Sequence, residues 1–234
     1  MSSTEQRVAL VTGGSRGIGR AMAERLAADG QDVAIVYAGN TAAGGSAVAL
    51  RADVADEDAV RAAFDAVEER FGGVDVVVNS AGIMLLDTVA DFDLADLDRM
   101  HRTNVRGTFV VNQQAARRVR RGGAIINVST SVGKLALPTY AAYAASKGAV
   151  DAISPVLAKE LRGRDVTVNA VAPGPTATDL FLADKSEEQV ERLAGMNPFG
   201  RLGAPEDIAE VVSFLAGPGR WVNGQTLYAN GGMV

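Results

Sequence analysis

The chain of 234 residues contains no cysteine, a single histidine and a single tryptophan, and aromatic residues make up only 5% of it. Without cysteine there is no disulfide, no thiolate nucleophile and no sulfur-ligated metal, and no metal site is expected. No apolar run reaches the length needed to span a bilayer, and the N-terminus (Met1-Ser2-Ser3-Thr4-Glu5-Gln6-Arg7) has no apolar signal core; a cytoplasmic address is expected. Positive charge is in deficit, with 23 Lys and Arg against 28 Asp and Glu, a net of -5. That argues against nucleic acid or an anionic membrane as the main partner, and no aromatics interleave the basic run Arg117, Arg118, Arg120 and Arg121 to stack on bases.

What is abundant is glycine, 26 residues, and short β-branched runs. Val8–Thr12, Val33–Tyr37, Val48–Arg51, Val74–Asn79, Ala124–Ser129, Val166–Val171 and Gln225–Ala229 read as strands. Between them Ile18–Asp29, Asp56–Phe71, Asp91–Arg121 (as one or two helices), Tyr140–Leu161, Ser186–Leu193 and Pro205–Leu215 read as helices, with Asp56 an N-cap. Strands alternating with helices indicate an α/β fold, a doubly wound parallel sheet covered on both faces. No linker or repeat interrupts it, so residues 1–234 are expected to form one domain. One crossover is anomalous. Only Ala38–Ser46, with glycines at 39, 44 and 45, joins the second strand to the third, where a parallel crossover usually needs about 10–12 residues or more. A missing or vestigial helix is expected there.

Two motifs carry chemistry. In Thr12-Gly13-Gly14-Ser15-Arg16-Gly17-Ile18-Gly19, a glycine loop follows a strand and opens a helix. Glycines permit close backbone approach, and the helix N-terminus offers free N–H groups to a pyrophosphate; nucleotide binding is expected. At the end of the second strand, where an acid would bond the ribose of NAD, stand Tyr37, Ala38, Gly39 and Asn40. With no acid there and Arg16 in the loop, NADP(H) is favoured over NAD. The second motif is Tyr143 with Lys147, four residues apart and so on one helix face. Bringing a phenol from about 10 to near neutrality takes roughly 4 kcal/mol of differential stabilisation. A nearby ammonium supplies part of it, giving a general acid or base for a reacting oxygen. Tyr140 lacks a lysine at that spacing.

Together these segments resemble the short-chain dehydrogenase/reductase family, from about Arg7 to the C-terminus. Thr12–Gly19 is similar to its Thr-Gly-x-x-x-Gly-x-Gly loop. Asp53-Val54 matches the pair after the third strand whose aspartate bonds adenine, and Asn79-Ser80-Ala81-Gly82 its Asn-Asn-Ala-Gly motif with the second position changed. Asn104, with Gly107, matches the catalytic asparagine, and Tyr143 and Lys147 the Tyr-x-x-x-Lys pair. Pro173-Gly174, Thr176 and Thr178 match the loop at the nicotinamide carboxamide, and Asn223-Gly224-Gln225 and Gly231-Gly232 the C-terminal strand region. The resemblance implies a Rossmann-like sheet. It also implies hydride transfer between nicotinamide and a ketone or aldehyde, with Tyr143 as acid or base and Lys147 on the nicotinamide ribose. Asn104 would hold a relay water through its carbonyl. The family's serine position holds Thr130, with Ser131 as the substitute. Cofactor contacts are thus expected at Gly13, Ser15, Arg16, Gly17, Ile18, Gly19, Tyr37, Asn40, Asp53, Val54, Asn79, Ala81, Gly82, Tyr143, Lys147, Pro173, Gly174, Thr176 and Thr178. Residues 179–199 would form an apolar substrate lid. A homotetramer or homodimer is implied, similar to 3-oxoacyl-thioester or carbonyl reductases. The alternative is a non-catalytic dinucleotide sensor on the same fold. His101 is read as an ordinary helix residue, and Asp87, Asp91, Asp93, Asp96 and Asp98 as helix-start charges.

Overall fold

In a computed structural model, the described residues are 6–39, 48–183 and 185–234. The strands are β1 (Val8–Thr12), β2 (Asp32–Tyr37), β3 (Val48–Arg51), β4 (Val74–Asn79), β5 (Val119–Val128), β6 (Thr167–Pro173) and β7 (Thr226–Ala229). They form one parallel sheet in the order β3-β2-β1-β4-β5-β6-β7. β1, β2, β4 and β6 are almost continuously apolar because helices cover both faces. The order reverses between β1 and β4, whose carboxyl ends therefore open into a crevice.

The helices are α1 (Gly17–Ala28), α2 (Glu57–Phe71), α3 (Leu94–His101), α4 (Thr108–Arg118), α5 (Val132–Leu135), α6 (Ala141–Glu160), α7 (Asp179–Leu182), α8 (Glu187–Ala194) and α9 (Pro205–Ala216), with a π-helical turn at Arg102–Gly107 joining α3 to α4. Met22 and Leu26 of α1 and Ile208, Val212 and Leu215 of α9 pack on one sheet face. Phe64 and Val67 of α2, Val111 of α4 and Leu157 of α6 pack on the other. Caps set the boundaries: Asp56 accepts from Ala59 N at 3.0 Å and Asp93 from Ala95 N at 2.7 Å. Asp93 thus acts as the expected helix-start acid.

The expected short crossover falls largely on residues 40–47, outside the described residues. β3 still pairs in parallel with β2, from Ala34 opposite Val48 to Tyr37 opposite Arg51. Ala49 and Arg51 are exposed on this edge strand. The basic run requires a correction. The helical reading of Asp91–Arg121 does not hold to its end: α4 stops at Arg118, and Val119 turns extended to begin β5. Val119 pairs with Val74, and the register then shifts so that Ala124 opposes Val76. The ladder irregularity places Arg120 against the largely buried Asp75, with Nε and Oδ1 2.9 Å apart. Arg118 lies between Asp65 and Glu68. Tertiary pairing of β5 with β4 overrides the helical tendency of the arginines.

Candidate active site

A cavity of about 480 Å³ runs along the carboxyl ends of the strands, from the glycine loop to Lys147 and on to the 173–181 segment. The end at the glycine loop is built by close backbone approach. A Cβ on Gly13, which has φ +68°, would lie 2.9 Å from Ala81 backbone atoms, and one on Gly19 only 2.2 Å from the Gly13 carbonyl oxygen. Only glycine lets the loop fold on itself here. The α1 N-terminus has no side-chain cap and no acid in its first turn, so its free N–H groups and partial positive charge face the cavity unopposed. Exposed Arg16 lines the same wall, with Ser15, Gly17, Ile18 and Gly19. The residues therefore fit a dinucleotide. Tyr37, Ala38 and Gly39 line the cavity beyond β2, with no acid among them; Asn40 lies outside the described residues.

Asp53 and Val54 line the cavity after β3. Asp53 accepts from Ala55 N at 2.9 Å and from the Arg102 guanidinium at 2.6 Å. Burial acts to raise its carboxyl, but these bonds outweigh it and hold the group below its usual range. Asn79 does not line the cavity. Its amide donates to Thr108 O at 3.2 Å, while its carbonyl accepts from Thr12 Oγ1 at 3.1 Å. Thr12 Oγ1 in turn accepts from Ser80 N and Ala81 N at 3.1 and 3.2 Å. Asn79 therefore shapes the loop holding Ala81 and Gly82, which do line the cavity.

At the other end, Tyr143 and Lys147 project from the first turns of α6. Lys147 is buried and donates from Nζ to the Val128 carbonyl at 2.7 Å. Burial pushes its ammonium down to about 8, partly opposed by Asp151 one turn further along α6. Tyr143 is correspondingly not depressed. Protein packed around it pushes the phenol up to about 12, opposed by a hydrogen bond from Thr130. The expectation that Lys147 would draw the phenol towards neutrality is thus corrected for the protein alone, because loss of hydration of the phenolate dominates.

Thr130 and Ser131 separate clearly. Thr130 Oγ1 accepts from Val132 N at 3.3 Å, and its hydroxyl bonds the Tyr143 phenol. Ser131 is fully buried; its hydroxyl donates to Ala172 O at 3.2 Å and accepts from Asn230 Nδ2 at 3.1 Å. Ser131 lines the cavity but braces β5 against β6 and the C-terminal loop.

Asn104 sits in the π-helical turn, a distortion frequent at functional sites. Its side chain clamps the backbone of Ile83, accepting from N at 2.9 Å and donating to O at 2.8 Å, and donates to Ser146 Oγ at 3.0 Å. Ser146 donates onward to the Tyr143 carbonyl at 2.8 Å. Asn104 thus ties the loop after β4 to the tyrosine's helix, and its own carbonyl accepts from Thr108 Oγ1 at 2.6 Å. Pro173, Gly174, Thr176 and Thr178 line the far wall. Thr178 caps α7 by accepting from Phe181 N. Sequence reasoning did not single out Ser146, Arg102 or the Val128 carbonyl. No spacing marks them, because each acts through residues distant in the chain.

A second cavity, about 910 Å³, adjoins the first and shares Met84, Leu137, Tyr140, Leu180 and Leu193 with it. Residues of 179–199 form one of its walls through Leu180, Lys185, Gln189, Arg192, Leu193 and Met196.

A parallel sheet with a glycine-lined nucleotide crevice at its switch point, and a Tyr-Lys-Thr cluster at the far end, defines the nicotinamide-dependent oxidoreductases of this fold. Residues 13–234 match the family model described as enoyl-(acyl carrier protein) reductase. A short-chain type dehydrogenase/reductase of Picea abies is 44% identical over 250 residues, covering 97% of this chain and 92% of that protein. An NADPH-dependent aldehyde reductase-like chloroplastic protein of Arabidopsis thaliana is 41% identical, covering 97% and 94%. The crystal structure of a short chain dehydrogenase from Burkholderia cenocepacia in complex with NADP superposes with a TM-score of 0.90 at 41% identity, covering 98% of both chains. The chain belongs to the short-chain dehydrogenase/reductase family and is an NAD(P)-dependent oxidoreductase.

Proposed function

We propose that this protein is an NADP(H)-dependent reductase of ketones or aldehydes, with Tyr143 as the group that protonates the carbonyl oxygen. The observation that carries the reading is the Tyr143 phenol, hydrogen-bonded by Thr130 and one helical turn from buried Lys147, in the cavity that begins at the glycine loop. The bound cofactor would supply the hydride to the carbonyl carbon. Tyr143, held protonated by its surroundings, is ready to give the matching proton, and Thr130 donates to the same oxygen. Lys147, the cation beside them, would bond the nicotinamide ribose. Asn104 keeps the loop and α6 in register, and the relay water on its carbonyl remains part of the proposal.

Preference for NADP(H) is supported by Arg16 at the phosphate end and by the absence of an acid at Tyr37, Ala38 and Gly39. The name of the Arabidopsis thaliana relative and the NADP bound in the Burkholderia cenocepacia structure agree with it. We read residues 1–234 as one domain serving both cofactor and substrate, with 179–199 as the cover of the substrate chamber. Titration with NADPH and NADH, followed by cofactor fluorescence, tests the nucleotide; weaker NADPH than NADH binding would remove the preference. A carbonyl screen then tests the chemistry. Tyr143→Phe should lose at least about 100-fold in kcat while still binding NADPH. Parental turnover by that variant would refute the assignment, and NADPH binding with no turnover of any carbonyl would leave the sensor reading.

A further inference from the structure

Tyr140 stands at the junction of the two cavities and lines both. It is only 8% exposed, yet no described residue hydrogen-bonds its hydroxyl, and burial raises its phenol. A buried phenol normally finds a partner. Its hydroxyl is not among the fully enclosed unpaired polar atoms of the described residues, and the side chain lines both cavities. The chain also holds this side chain in place at a conformational cost. The preceding residue, Thr139, is β-branched and has φ +72°, a conformation such residues avoid. Tyr140 directly precedes α6 and Tyr143 follows within its first turn, so the two phenols rise from neighbouring positions on one helix start. Their electrostatic interaction raises Tyr143 slightly, as expected of close groups.

We propose that the Tyr140 hydroxyl is a substrate contact, donating a hydrogen bond to a second oxygen next to the reacting carbonyl. The favoured substrates are then compounds with vicinal oxygens, such as α-diketones, α-hydroxyketones and ortho-quinones. The second cavity beyond Tyr140 has a mixed lining, with Leu85, Leu86, Phe92 and Met196 beside four aspartates, Lys185 and Arg192, and its apolar part gives room for the body of such a compound. This inference rests on the reductase reading. Tyr140 transfers no atom: one hydride and one proton still reach a single carbonyl.

The test compares the unaltered enzyme with Tyr140→Phe on 9,10-phenanthrenequinone and on benzaldehyde, with NADPH. The variant should lose about tenfold in kcat/KM, equivalent to about 1.4 kcal/mol, on the quinone and stay within about twofold on benzaldehyde. Its Tm should be unchanged or higher, because the removed hydroxyl bonds no described residue. Tyr140→Gln, which restores a donor, should recover part of the quinone activity. Equal loss on both carbonyls, no loss on either, or a lowered Tm would overturn the inference by making Tyr140 a structural residue. No turnover of either carbonyl by the unaltered enzyme, despite NADPH binding, would instead sink the reductase reading, and this inference with it.

Discussion

Thr130 and Ser131 are adjacent hydroxyls with opposite commitments. Thr130 accepts a backbone N–H and its hydroxyl faces the Tyr143 phenol, whereas both roles of the Ser131 hydroxyl are taken by Ala172 and Asn230. Thr130→Val should therefore lower kcat about 100-fold with NADPH affinity kept, and Thr130→Ser should restore it. Ser131→Ala should keep kcat within a few-fold and cost about 1 kcal/mol of stability. Initial rates and urea unfolding of the three variants check this. Lys147 makes a second prediction. Its folded value of about 8 lies below the ordinary 10.5, so between these pH values the unfolded chain binds more protons, and stability rises with pH. Below about 8 both states are protonated and the penalty is fully present. Tyr143, raised from 10.0 to about 12, acts in the opposite sense above pH 10, where the unfolded phenol ionises first. Unfolding free energy of the cofactor-free protein should thus climb from pH 8 to 10, and Lys147→Met should flatten that rise.

The loop and α1 act as a unit. An uncapped N-terminus is a deficit for a helix standing alone, and α2 and α3 fill theirs with Asp56 and Asp93. In α1 the free N–H groups face the cavity where we propose that the nucleotide phosphates bind. Gly19→Ala would drive a Cβ into the Gly13 carbonyl, which nothing flexible can relieve. It should cost about 1–3 kcal/mol of stability and abolish measurable NADPH binding. Asp56→Ala is the contrast: about 1 kcal/mol of stability with NADPH affinity unchanged. Fluorescence titration and chemical unfolding separate the two. The elements also show where local reading fails. β1 and β4 have the limits their apolar runs indicate, because parallel strands flanked by helices are apolar almost throughout, and β3 has its expected limits as a half-exposed edge strand. The start of β5 does not, because Val119-Arg120-Arg121 looks like a helix tail until Asp75 and Val74 on β4 supply partners. The short β2–β3 connection was legible only as an anomaly of length.

For the whole molecule, the sheet order places the two adjoining cavities at the carboxyl edge of the strands and leaves apolar side chains elsewhere in solvent. Trp221 is fully exposed; Phe109 on α4, Val156 on α6 and Tyr228 on β7 are exposed too. We propose that α4, α6 and β7 pack against symmetry mates in a homotetramer or homodimer. Light scattering at micromolar concentration should give two or four chain masses, and the emission of the single tryptophan should shift to the red on dilution; a monomer would dismiss the assembly.

The sequence by itself settled what is local or combinatorial. Runs of valine and isoleucine between helices make a covered parallel sheet, a glycine loop between strand and helix makes a tight turn at an open helix start, and Tyr143 four residues before Lys147 puts a phenol and an ammonium on one helix face. Only the tertiary structure decided what each polar group does there. Whether the Tyr143 phenol rises or falls depends on hydration lost to side chains from many segments, and here that loss outweighs the hydrogen bond of Thr130. The partners of Thr130, Ser131, Asn79 and Tyr140 come from strands and loops far along the chain. A hydroxyl's role is fixed by which donors and acceptors lie within about 3 Å of it, and sequence spacing carries no record of that distance.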